Sequence, residues 1–185
     1  MDYGGKVASN VITVISGAIG VLLGGGIRTI EAYIARRHEQ RSVLYALVAE
    51  VDSLARIARH RRYLEAYISG RDGFREMVGA GHGEALGSLG VLQVQADYFA
   101  VFDALRPKLG LLTPMQSSRI IRFYVLAKTV LENARPDSQW VTGQHPVSEL
   151  LEVLENDIAV LEAVLGLADE IVQFVPDRML NGGHP

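Results

Sequence analysis

The chain of 185 residues contains no cysteine, so disulfides play no part in its folding, which fits a reducing compartment. It lacks a metal-ligand pattern as well. None of His38, His60, His82, His145 and His184 has a second histidine or a cysteine at ligand spacing on the same helix. His38-Glu39 begins an H-E-x-x-H motif, but residue 42 is Ser. No Gly-Lys-Ser/Thr and no preceding strand accompany Gly79-Ala80-Gly81-His82-Gly83, so that stretch is no phosphate or dinucleotide loop. Gly87-Ser88-Leu89-Gly90 is one residue short of a serine nucleophile elbow. Glu50 and Asp52, two apart, fall on different faces of a helix, and Asp97 and Asp103 also diverge. No catalytic residue, cofactor or metal is therefore expected. Strand-like alternation and solenoid-length repeats are missing too, which leaves an all-α chain.

Charge is absent from Val7 to Ile27, a run of 21 residues. As a helix it spans roughly 31 Å, about the thickness of a bilayer's hydrocarbon core. Its ten large aliphatics favour insertion by roughly 3 to 6 kcal/mol, partly offset by five glycines and by Ser9, Asn10, Thr13 and Ser16. The run reads as a transmembrane helix; the competing reading is a buried, glycine-rich helix of a bundle. Ser16, Gly20 and Gly24 recur every four residues and form a small-residue face suited to close helix pairing, hence to a homo-oligomer. Arg28, Arg36, Arg37 and Arg41 follow the run and outnumber Lys6 before it. The positive-inside rule then puts the amino terminus outside and the rest in the cytoplasm, with these arginines against anionic lipid.

Basic residues are scarce at the other end. From Pro136 onward Arg178 stands alone against nine Asp/Glu, whereas Arg28 to Arg71 holds nine Lys/Arg against five. The acidic segment is expected away from a bilayer or packed against the basic helix.

Arg28 to Ile68 contains neither proline nor glycine and reads as one long helix. Its first part, residues 28–42, is a charged stalk, and bundle packing begins near Val43 through Leu44, Leu47, Val48, Val51 and Leu54. Seven glycines between Ser69 and Gly90 predict a flexible connection with at most a helical turn at Phe74–Val78. A second helix is expected over Val91–Leu105, a third from Thr113-Pro114 to about Ala134, a loop over Arg135–Pro146, and a last helix to Pro176. The expected organisation is 1–27, terminal segment and transmembrane helix; 28–42, stalk; 43–185, a four-helix-type cytoplasmic bundle with a glycine-rich loop at 69–90.

The stretch YFAVFDALRPKLGLLTP followed by RIIRFY, after an anchor helix containing LYALVAEVDSL, resembles a group of bacterial single-pass membrane proteins with a small helical cytoplasmic domain and no assigned activity. The resemblance implies an inner-membrane location and carries over no functional residue. Read physically, Tyr98, Phe99, Phe102, Phe123 and Tyr124 form an aromatic patch: bundle core, or also one wall of a groove.

Arg56, Arg59, His60, Arg61 and Arg62 are the densest basic cluster. They wrap nearly two turns, and pairing with Glu152, Glu155 or Asp157 is expected; nucleic acid is not, since no binding module accompanies them. Two roles fit the inventory. The first is a membrane-anchored helical interaction or scaffold module without catalysis, which recruits a cytoplasmic protein partner. The alternative is an oligomerising membrane effector that perturbs the bilayer in a stress or phage response.

Overall fold

The computed structural model describes residues 4–90 and 98–175, with side chains from residue 30 onward. The protein is mostly helical and all-α, and its elements fall into two units, Met1–Ser42 and Val43–Pro185. Helix α1 (Gly4–His60) enters both.

In the first unit the described side chains stand almost wholly in solvent. Ile30, Tyr33 and Ile34 are exposed, and Arg37 sits over the Tyr33 ring at 5.6 Å. The single-pass location in a bacterial inner membrane is corrected here: among the described residues, no helix is long and apolar enough to cross a membrane. From Ile30 to Ser42, the segment read as a stalk, α1 carries Glu31, Arg36, Arg37, Glu39 and Arg41, so this stretch supplies no span either. With that location goes the sidedness and the assignment of Arg36, Arg37 and Arg41 to lipid. The side chains of Val7–Ile27, including the pairing face Ser16, Gly20 and Gly24, and that of Arg28 lie outside the described residues.

In the second unit, three- and four-residue steps carry Val43, Leu44, Leu47, Val48, Val51 and Ala55 of α1 into the core. The helix does not reach Ile68. It ends at His60, and Arg62 adopts a left-handed conformation (φ 54°), the one non-glycine residue with positive φ among the described residues. Helix α2 (Tyr63–Gly79) starts there and runs through Gly70 and Gly73, where a flexible connection was expected. Burial of Tyr67 and packing of Phe74 outweigh the glycine cost of about 1 kcal/mol each. Gly70 faces Leu154, and an added Cβ would stand 3.4 Å from it.

The rest of the glycine-rich segment has a definite role. Leu86–Gly87 (β1) pairs antiparallel with His145–Pro146 (β2). The last helix, α6 (Val147–Val172), has no side-chain cap, but its first amides donate to this segment: Val147 N–H to the Ala85 carbonyl at 2.9 Å and Ser148 N–H to that of Gly83 at 3.1 Å.

Helix α3 covers only Ala100–Leu105 of the expected Val91–Leu105, residues 91–97 lying outside the described ones, and a 3-10 helix follows over Arg106–Leu111. Helix α4 (Pro114–Asn133) opens as its sequence requires: Thr113 Oγ1 accepts from Gln116 N–H, and the Gln116 side chain accepts from Thr113 N–H. A short α5 (Gln139–Thr142) lies inside the expected loop.

Helix α6 is the common element of both cores. Its first half (Leu150, Leu154, Ile158, Leu161) packs with Tyr67 of α2 and Val130 of α4. Its second half (Val164, Leu167, Ala168, Ile171) packs with α1 and with Ile120, Phe123 and Tyr124 of α4. Ion pairs follow the same plan: Arg75–Glu155 ties α2 to α6, Arg59–Asp169 at 2.7 Å ties α1 to it, and Arg119–Glu170 at 2.9 Å ties α4.

Candidate functional site

Four of the five predicted aromatic residues meet at one corner. Tyr124 is the hub: Phe102 stacks on it at 3.9 Å between centroids, and Phe99 and Phe123 meet it edge-on at 5.6 and 5.2 Å. Tyr98 is drawn the other way. With Tyr63, Phe99, Phe123 and Val130 it lines a small apolar cavity of about 70 Å³.

The corner is organised by Glu50, which sequence reasoning dismissed as half of a failed acid/base pair. From α1, Glu50 Oε1 accepts the Val101 amide at 2.8 Å, and Oε2 accepts the Phe102 amide at 2.9 Å and the Tyr124 hydroxyl. The carboxylate thus supplies the N-terminal cap that α3 lacks locally, since Phe99 has no capping side chain. Burial and the adjacent Glu50 charge push the Tyr124 hydroxyl far above its usual range, so it remains a donor. No sequence signal marks this cap, because the partners lie 51, 52 and 74 positions apart.

Outside this corner lies an open groove of about 350 Å³ between α3 and α4. Phe99, Phe102, Tyr124 and Leu109 form its apolar part, and Asp103, Arg106 and Lys128 its rim. Ile121 and Val125 of α4 continue it, 41% and 58% exposed.

A second unusual group sits in the other core. Asp157 is 2% exposed; its Oδ1 accepts from Asn133 Nδ2 at 2.9 Å, and Oδ2 has no partner. Burial pushes its carboxyl up to about 6. Burial, then the Asp157 charge, raises the Tyr67 hydroxyl. Shifted groups often mark chemistry, but this carboxyl is sealed in the core and does not line any of the cavities described here.

The basic cluster is spent on local and interhelical pairs. Arg56 meets Asp52 at 2.9 Å, Arg62 meets Glu65 at 3.6 Å, and Arg61 donates to the Tyr63 hydroxyl at 3.1 Å. Its partner on α6 is Asp169, not Glu152, Glu155 or Asp157. The reason is the break at Arg62: α1 covers the far half of α6, and Glu155 falls beside α2. Among the described residues, no group of three or more His, Asp or Glu could hold a metal ion.

The chain matches no protein-family model, no curated protein and no solved structure.

Proposed function

We propose that the protein is a non-catalytic helical interaction module, built as a four-helix-type bundle with α1, α2, α4 and α6 as its long members. One observation carries the reading: the outer face of α4 exposes Met115, Ile121 and Val125, while the long outer face of α6 bears only small or polar side chains. A helix needs no large aliphatics on a face that meets only water, and clustered ones mark contact surfaces. Behind the groove, Glu50 and the Tyr124 hydroxyl are committed to holding the corner together. The bilayer-perturbing alternative depended on the location corrected above and is not carried forward.

The test is photo-crosslinking of the full chain in the organism that encodes it. A photoreactive residue replaces Val125, Met115 or, on the acidic face, Glu152. A discrete adduct with one protein at any of these positions is expected. Silence at all three would overturn the reading.

A further inference from the structure

The outer face of α4 also limits what its partner is, an inference that rests on the interaction reading above. At about 100° per residue, Ile121, Val125 and Lys128 share one face, with Arg122 roughly 100° round from Ile121. Arg106 stands across the groove on the opposite flank, in a loose pair with Asp103 at 3.8 Å, both side chains two-thirds exposed. Arg122 and Lys128 have no ion pair among the described residues, and Glu132 marks the end of the strip. An apolar strip and groove are therefore bracketed by cations on both sides.

Two occupants can be set aside. A second copy would bring like charge, since its exposed aliphatics lie beside Arg37 on α1 and beside Arg122 and Lys128 on α4. Its acidic α6 face presents only Glu155, Asn156 and Ala159 between Glu152 and Glu162, with no large side chain for the groove. Among the described residues, no sheet edge lies at the groove for a strand to extend. What fits between α3 and α4 is another helix, anchored by aliphatic side chains at i, i+3, i+4 and i+7. Acidic residues on its flanks would meet Arg106, Arg122 and Lys128.

We propose that the α3–α4 groove and the Ile121–Val125 strip receive an amphipathic helix of a different protein, aliphatic on one face and flanked by Asp or Glu.

The probe is a pair of peptides of about 18 residues, long enough for several helical turns. Both carry Leu at the anchor positions; one has Glu on its flanks and the other Lys. Each is titrated into the isotope-labelled full chain and followed by amide shifts. The Glu peptide is expected to shift amides of Ser118–Thr129 and to bind at least about tenfold more tightly than the Lys peptide, an advantage that shrinks as salt rises. Val125→Glu should weaken binding about tenfold or more while leaving the thermal melt unchanged. Arg122→Glu/Lys128→Glu should reverse the peptide preference. Equal binding of both peptides, no shift at about millimolar concentration, or shifts elsewhere on the chain would overturn the proposal. So would displacement of the Glu peptide by a short nucleic-acid duplex, which would make the cations phosphate contacts. In the crosslinking experiment, an adduct at Glu152 but none at Val125 or Met115 sinks this inference and spares the interaction reading; silence at all three sinks both.

Discussion

Glu50 and Tyr124 meet in a hydrogen bond that joins the first helix to the fourth, and the same carboxylate holds the start of α3. The bond ties Tyr124 to the carboxylate that also holds the Phe102 amide, and so fixes both stacked rings of the groove's inner wall. Residues of α1, α3 and α4 are therefore held in place through one side chain that no motif marks.

Removing that carboxylate should be more costly than removing its tyrosine partner. Glu50→Ala leaves two amides and a hydroxyl without an acceptor, and a loss of about 3 kcal/mol in urea unfolding is expected. Tyr124→Phe deletes one donor and should cost about 1 to 2 kcal/mol. In a double-mutant cycle the two losses should fall short of additivity by about 1 kcal/mol or more. Full additivity would mean that the bond contributes nothing.

Asp157 should make stability depend on pH in an unusual direction. Its folded-state carboxyl titrates at about 6 against an ordinary value of 3.8. The native state thus binds the proton more tightly than the unfolded chain. The contribution is fully present below the ordinary value, and it is lost as pH rises through about 6. At pH 8 the ionised group costs about 3 kcal/mol relative to an unshifted carboxyl. Asp157→Asn keeps an oxygen for Asn133 and removes the charge. It should raise stability at pH 8 by about 1 to 2 kcal/mol, with the advantage fading towards pH 4. A difference between the two proteins that is the same at pH 4 and pH 8 would contradict this.

Arg62 offers a stabilising substitution. A non-glycine residue in the left-handed region costs about 1 to 2 kcal/mol, and its ion pair with Glu65 is long and exposed. Arg62→Gly should gain about 0.5 to 1 kcal/mol, whereas Arg62→Ala, still strained, should gain nothing. Thermal melts of the three proteins decide the matter.

Gly143 is constrained by space rather than by backbone conformation. A Cβ there would stand 2.5 Å from the Gln139 carbonyl oxygen and 2.6 Å from His145 Nε2. The same two groups bond each other at 2.9 Å, and His145 lies against Trp140 at 4.6 Å between ring centroids. Gly143→Ala should cost about 2 to 3 kcal/mol, read by denaturant unfolding, and should be accompanied by altered Trp140 fluorescence.

Much of the helical plan was readable because it is written locally. Thr113-Pro114 carries its own start signal, and the apolar steps of α6 run uninterrupted from Val147 to Val172. The break at Arg62 was not readable, since neither glycine nor proline announces it. Nor was the helix through Gly70 and Gly73, where contact with Leu154 and burial of Tyr67 override local preference. The aromatic set was visible as residues, but its organiser was not: a carboxylate serving amides more than fifty positions away has no spacing signature. The groove depends on which α4 residues stay outside, and periodicity alone cannot assign the helix face that turns away from the core.

Helix α6 is made after α1, α2 and α4, yet both cores close upon it. Its pairings reach back 80 residues to Arg75 and 110 to Arg59. During synthesis the earlier helices leave the ribosome with their apolar stripes uncovered, and they stay so until the last of α6 emerges. A stop codon or a proteolytic cut within α6 would therefore strand an aggregation-prone nascent chain rather than a smaller working bundle.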